Sequence, residues 1–332
     1  MSRSRLPVSQ TVQSIALAYV KSMRLYYAFI TGIAGWIGLA FYHFLFPDRA
    51  DVVRTALILA LLFLSWGVNQ IINDYLGLAE DTINAPRRPM VTGELPVRPA
   101  LAVSAVAIAV MLLLAWMLNP LAVIPVAAGV LLNVLYEYAK AWSLWGNLVF
   151  GLMIAMCPLF GFLAAGPAPD PLVTPNRVAV LLLIAVSNAV MTYYTYFKDY
   201  TGDKAAGKKT FIVRHGLRAA RYAGVAASLL CTLLCALFIA TGALPLEDIL
   251  FQQEFVFVGI TTLFLQCWTG WLYFTRPEGP STYFNLVTNI RACTAGNCAM
   301  LAIFNGKAAL YLLVVSYILI GFLFSLYQDE RS

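Results

Sequence analysis

The feature that most constrains this chain is repetition: apolar runs of about 20 residues, the length that crosses a hydrocarbon layer roughly 30 Å thick, recur from end to end. They fall at residues 25–45, 55–79, 100–118, 120–138, 145–165, 178–198, 222–242, 254–275 and 308–326. The stretch 286–304 has the same length but carries Asn289, Arg291 and Asn297. It reads either as a further span facing a polar cavity or as an irregular segment, so the count is nine or ten. The predicted fold class is an all-α polytopic membrane bundle, built as a single domain over residues 1–332.

Composition agrees with the periodicity. Hydrophobic residues make up 61% of the 332 positions and charged residues 11%, with a mean hydropathy of +0.78. A soluble domain carries roughly a quarter charged residues, and this chain has too few to coat a water-soluble globule. The net charge of +6 reads as the basic bias of cytoplasmic loops rather than as a nucleic-acid surface. The six cysteines show no zinc spacing and sit in or beside apolar runs, as inert buried thiols do. Residues 1–24 form a mildly basic, amphipathic segment without the apolar core and small-residue cleavage site of a signal peptide.

The loops set an orientation. Arg3, Arg5, Lys21 and Arg24 precede the first span; Arg87, Arg88 and Arg98 follow the second; Lys204, Lys208, Lys209, Arg214, Arg218 and Arg221 follow the sixth. Alternating the spans brings these segments and Lys140 to one side, and Asp48, Asp51, Asp170, Glu247 and Asp248 to the other. Positive charge is retained on the cytoplasmic side. An integral multi-pass protein whose chemistry faces the cytoplasm is the expectation, with the 1–24 segment on that side too.

Acidic residues concentrate at two helix ends on that basic side. One is NDYLGLAED, residues 73–81, followed by TINAPRRPMVTG; the other lies in YTYFKDYTGDKAAGKKT, residues 194–210. Asp199 and Asp203, four apart, share a helix face, and Asn73 and Asp81, eight apart, do so approximately. Oxygen donors on facing helices suit Mg2+, which bridges protein carboxylates to substrate phosphates. Interleaved Arg and Lys fit the departing anion of a diphosphate ester. Solvated helix caps would give similar clusters, but Asp74 and Asp199 stand at the edge of apolar runs, where ionisable groups are costly and tend to be functional.

The paired segments resemble the aspartate-rich motifs of the UbiA superfamily of intramembrane prenyltransferases. The first motif, Asn-Asp/Gln-x-x-Asp-x-x-x-Asp with a following Arg-Pro turn, is matched by Asn73, Asp74, Asp81, Arg88 and Pro89. The second, Asp-x-x-x-Asp preceded by Tyr-x-x-x-Lys, is matched by Asp199, Asp203, Tyr194 and Lys198. The helix layout corresponds along nearly the whole chain. The resemblance implies a bundle around one central cavity. It implies a metal set drawn from Asn73, Asp74, Asp81, Asp199 and Asp203, and diphosphate contacts from Arg24, Arg88 and Lys140. Asp199, Asp203, Lys198 and Tyr194 are then the candidate catalytic residues, with Mg2+ as cofactor. Lys204, Lys208 and Lys209 read as topology determinants.

One position departs from the pattern: the middle acid of the first motif is Gly77. Unless Asp74 or Glu80 substitutes, a metal site is weakened. This form resembles a divergent branch that includes secondary-metabolite enzymes and membrane terpene cyclases. The expected activity is transfer of a prenyl group from an isoprenoid diphosphate, such as farnesyl or geranylgeranyl diphosphate, to an aromatic acceptor. Specialised metabolism or quinone-type synthesis would be its setting, with membrane lipid as the surroundings and no obligatory protein partner. Tyr26, Tyr27, Trp66, Tyr193, Tyr194 and Tyr196 could shield a carbocation or could equally serve packing. A cyclase using the same diphosphate without an acceptor stays open. A transporter is disfavoured, because the acids sit at helix ends and no inverted repeat is visible.

Overall fold

The computed structural model describes residues 12–244 and 253–327; Arg3, Arg5, Glu247 and Asp248, used above to orient the spans, lie outside them. The helices are α1 (Val12–Ser22), α2 (Ala28–Leu45), α3 (Val52–Leu76), α4 (Leu78–Asn84), α5 (Pro89–Thr92), α6 (Val97–Leu118) and α7 (Val123–Ala139). They continue as α8 (Trp145–Ala164), α9 (Pro175–Ala205), α10 (Phe211–Ala240), α11 (Gln253–Thr275), α12 (Ser281–Ala302) and α13 (Gly306–Leu326). The described residues contain no β-strand, and the all-α membrane bundle read from the sequence is what they form.

Local chemistry marks several helix starts. Asp51, Thr174, Thr210 and Asn305 each accept a backbone N–H from the first turn of α3, α9, α10 and α13, and Pro175 adds a first-turn proline to α9. α9 runs past the predicted end at 198, so both acids of the second motif stay on a regular helix. α10 starts earlier than predicted and breaks at Gly216, whose φ of 79° a side chain would resist.

Among the described residues, nine helical segments are apolar and long enough to cross a membrane, and they coincide with the nine runs read from the sequence. The ambiguous tenth stretch is a regular helix. α12 is polar for a spanning helix yet closely enclosed, with Asn285, Asn289, Asn297 and Thr294 all buried. Its course follows from its two ends. Gly279, Pro280, Thr282 and Tyr283 line a cavity shared with the ends of α3 and α9, and the end of α13 returns to the same pole. There Tyr327 donates to Val20 O at 3.4 Å and Phe324 packs edge-on against Tyr26. α13 can return to that pole only if α12 crosses away from it. Ten helices therefore run pole to pole among the described residues.

Close crossings use small residues, as membrane helices require where apolar side chains gain nothing by leaving lipid. A Cβ at Gly38 of α2 would overlap the Pro158 carbonyl of α8, and one at Gly161 would overlap Gly35 O. Asn289 Nδ2 donates to Met191 O at 2.8 Å, which fixes α12 against α9.

Candidate active site

The basic pole holds a cavity of about 1500 Å3, its mouth included, between the segment preceding α2 and helices α3, α4, α7, α8, α9 and α12. α9 contributes Met191, Thr192, Thr195, Lys198, Asp199 and Asp203. Their spacing of three, four and seven residues is that of one helix face. Across from them stand Asn73 at the end of α3 and Glu80, Asp81 and Asn84 of α4. α3 and α4 are divided at Gly77, but Gly77 N donates to Asn73 O and Asp81 N to Gly77 O. The break is shallow, and Asn73 and Asp81 still face the same space.

The two acidic segments are joined directly. Gly202 N donates to Asn84 Oδ1 at 2.9 Å, which pins α4 to the last turn of α9. Asp81 of the first motif and Asp199 and Asp203 of the second thus line one cavity.

The cations are distributed among them. Arg24 precedes α2 with φ 47° and ψ 62°, a left-handed conformation unusual for arginine. It donates to Asp74 Oδ1 at 2.5 Å, and Gln70 Nε2 donates to the same oxygen at 2.9 Å. Arg88 pairs with Asp81, and its Nη1 lies 3.7 Å from Asp74. Burial raises the Asp81 carboxyl above its ordinary pKa, against the opposing pull of Arg88. Lys198 pairs with Asp199. Lys140 Nζ lies 2.8 Å from Glu137 Oε2; burial works against its charge, and the glutamate more than offsets this, holding it above the ordinary lysine value. Lys208 bridges Glu80, at 2.7 Å, and Glu137.

Asp203 differs from the other acids. It is 4% exposed, and its Oδ2 has no hydrogen-bond partner. A dehydrated carboxylate oxygen without a hydrogen-bond partner is costly, and Asn73, Asp81 and Asp199, which line the same cavity, add oxygen atoms that can ligate a metal. Such donors fit a hard divalent cation. No three of the described His, Cys, Asp or Glu residues are gathered tightly enough to hold an ion unaided. Mg2+ commonly takes one or two carboxylates and fills its remaining positions with water and phosphate.

Most residues singled out in the sequence meet here: Arg24, Asn73, Asp81, Arg88, Lys140, Lys198, Asp199 and Asp203 all line the cavity. Two do not. Tyr194 turns toward α10, where its hydroxyl donates to Gly224 O at 2.5 Å and its ring stacks on Tyr273. Asp74 is buried behind the lining and its carboxylate is engaged by Arg24 and Gln70. Of the aromatics, Tyr26, Tyr27 and Trp66 reach the cavity, while Tyr193 donates to Ala220 O. Sequence reading missed Glu137, and it placed Lys208 among the loop charges although the side chain lines the cavity. Trp66 and Gln70 also line a second, apolar space of about 790 Å3, its open side included, among α2, α3, α6, α7 and α8.

This architecture has known relatives. A homologue from Archaeoglobus fulgidus, solved bound to GPP and Mg2+, superposes with a TM-score of 0.61 at 18% identity, over 89% of this chain and 99% of that one. A digeranylgeranylglyceryl phosphate synthase from Thermococcus sibiricus is 30% identical over 197 residues, 58% of this chain and 67% of the relative. The Thermococcus kodakarensis enzyme of the same name is 25% identical over 248 residues, 72% and 86% respectively. The expectation of Mg2+ agrees with the A. fulgidus homologue. The aromatic acceptor and the secondary-metabolite setting gain no support, since these names specify a glyceryl phosphate product. The model of the UbiA prenyltransferase family matches residues 28–279, three-quarters of the chain. By that match the chain belongs to the UbiA prenyltransferase family and is a membrane prenyltransferase.

Proposed function

We propose that the protein transfers a prenyl group from an allylic isoprenoid diphosphate to an alcohol that carries its own phosphate. The observation that carries the reading is the buried, unpartnered Asp203 oxygen, facing the same cavity as Asn73, Asp81 and Asp199 amid Arg24, Arg88, Lys140 and Lys198. Mg2+, when bound, neutralises the diphosphate and makes it a better leaving group. Asn73, Asp81, Asp199 and Asp203 hold the cation side of the complex, and the four basic residues hold the phosphate oxygens.

The allylic C–O bond breaks with its electron pair passing to the diphosphate oxygen. Tyr27 and Trp66, stacked with centroids 4.5 Å apart, line the cavity and supply aromatic surroundings for the carbocation. The acceptor hydroxyl oxygen forms the new C–O bond, and its proton passes to the departing diphosphate. The prenyl tail extends past Trp66 into the apolar space beyond. The phosphate-bearing acceptor is favoured by the names of the relatives and by a fifth cation in the lining, Lys208. The cavity opens to the cytoplasm, an orientation supported by the Lys and Arg gathered at this pole, and the whole chain serves this one reaction.

The test incubates purified protein with Mg2+ and C10, C15 or C20 diphosphates. Each is supplied with a prenylated glyceryl phosphate, with a panel of phenolic and quinolone acceptors, or with no acceptor, and products are read by mass spectrometry. A prenyl ether of the glyceryl phosphate, lost on chelation by EDTA, is expected. Turnover confined to the aromatic acceptors would overturn the acceptor assignment, and a cyclised product formed without any acceptor would replace transfer by cyclisation.

A further inference from the structure

The first motif lacks its middle acid, and the structure shows what stands in front of the gap. A Cβ placed on Gly77 would lie 3.7 Å from Glu137 Oε1 and 3.9 Å from Glu137 Cδ. The Glu137 carboxylate, carried on α7 and 7% exposed, thus reaches the space into which a side chain at 77 would project. Of the two acids nearest in sequence, Asp74 holds Arg24, and Glu80 holds Lys208 through Oε1 and keeps Oε2 unpartnered, but it is the Glu137 carboxylate that a Cβ at 77 would meet. Glu137 lines the same cavity as Asn73, Asp81 and the unpartnered Asp203.

We propose that Glu137 supplies from α7 the carboxylate that the first motif lacks at Gly77, and that it joins Asn73 and Asp81 in binding the divalent cation and its diphosphate. The inference rests on the function proposed above. Two carboxylates at these positions would repel at close range, so the acid belongs at one or the other. In this structure Lys140 and Lys208 balance the Glu137 charge. Once a divalent cation takes over that balance, the two ammonium groups are released toward the phosphate oxygens, which is where basic residues are needed as the leaving group departs.

A purely structural Glu137, present only to seat the two lysines, makes a different prediction. Its loss would weaken diphosphate binding, and an acid restored at 77 would not repair cation binding.

The experiment measures Mn2+ binding by electron paramagnetic resonance. It uses the full chain in detergent with a saturating, non-ionising farnesyl thiodiphosphate, and thermal melts establish that each variant is folded. E137Q should weaken Mn2+ binding by at least ~10-fold, the usual scale for loss of a group that supports a metal site. G77D/E137Q should return it near the wild-type value, whereas G77N/E137Q should not. Unchanged Mn2+ affinity in E137Q overturns the proposal, as does a folded G77D/E137Q that binds no better than E137Q. If the double variant does not fold, E137D decides: a retained carboxylate should preserve binding, and affinity as low as that of E137Q overturns the proposal. A wild-type protein that neither binds Mn2+ with the analogue nor turns over allylic diphosphates would instead remove the functional reading beneath it.

Discussion

Gly202 and Asn84 lie in direct contact: the Gly202 amide donates to Asn84 Oδ1 at 2.9 Å, and a Cβ at 202 would overlap the Asn84 carboxamide. The contact sets the distance between the two acidic segments. Gly202→Ala should push α4 off α9 while leaving the spanning helices packed. A misplacement of about 1 Å can cost ~100-fold in rate, so kcat/KM should fall by that order with little change in Tm. Normal turnover in this variant would mean the contact does not set the geometry.

Asp203→Asn separates function from stability. An ionised carboxylate buried without a donor destabilises the cation-free protein, and an amide carries no charge to bury. The variant should melt at or above the wild-type temperature without Mg2+. It should lose the stabilisation gained from Mg2+ with a diphosphate analogue, and turnover by ~10³-fold. Thermal shift and product formation on one preparation check both halves.

Asp74→Ala should act on the fold and on substrate affinity together. It leaves the half-buried Arg24 without its carboxylate, a loss of about 3 kcal/mol for breaking a pair whose acid is buried. The freed guanidinium no longer has a fixed position, and KM for the diphosphate should rise ~10-fold, equivalent to about 1.4 kcal/mol. The Mg2+ concentration for half-maximal rate should stay put, because Asp74 lies behind the cavity wall. A change in that concentration would return Asp74 to the metal set.

Tyr194→Phe tests the opposite assignment. The hydroxyl bonds to Gly224 O, away from the cavity, so its removal should cost about 1 kcal/mol of stability and leave kcat near the wild-type value. A large fall in kcat at unchanged stability would restore Tyr194 to the chemistry.

Gly129 borders the apolar space beyond Trp66, and a Cβ there meets only Met156 Cβ at 3.8 Å. Gly129→Phe should therefore fold and fill the space where the tail extends. Preference should move from C20 toward C10 diphosphates. At roughly 0.8 kcal/mol for each buried methylene, displacement of even two methylenes should raise the C20 KM by ~10-fold. Competition assays with mixed diphosphates would show the shift.

The nine apolar spans were legible because lipid imposes a length and a polarity that any such helix must meet, and the fold placed them as read. α12 escaped a firm reading because Asn289 and Asn297 donate to carbonyls of α9 and α2 rather than to water, which hydropathy cannot distinguish. In the second motif the geometry was readable in full. Met191, Thr192, Thr195, Lys198, Asp199 and Asp203 form one stripe, and at 100° per residue Tyr194 falls about 110° from its middle. The family motif brought Tyr194 into the site, where helical spacing alone would have left it out. Glu137 had no local signal. It sits sixty positions beyond Gly77 on a different helix, and only tertiary packing brings the two together. Lys208 was hidden in the same way, one basic residue among many in a loop.

The enclosure of α12 has a consequence for how the chain reaches its native state. A segment with several asparagines and an arginine partitions poorly into lipid by itself, since each unsatisfied amide there is expensive. Met191 O and Ile30 O, the acceptors for Asn289 and Asn297, belong to helices synthesised earlier. Insertion of α12 should therefore wait on a partner surface already assembled in the bilayer. Nascent chains that extend past α12 but carry an unrelated apolar span in place of α9 should hold this segment at the translocon or let it slip through.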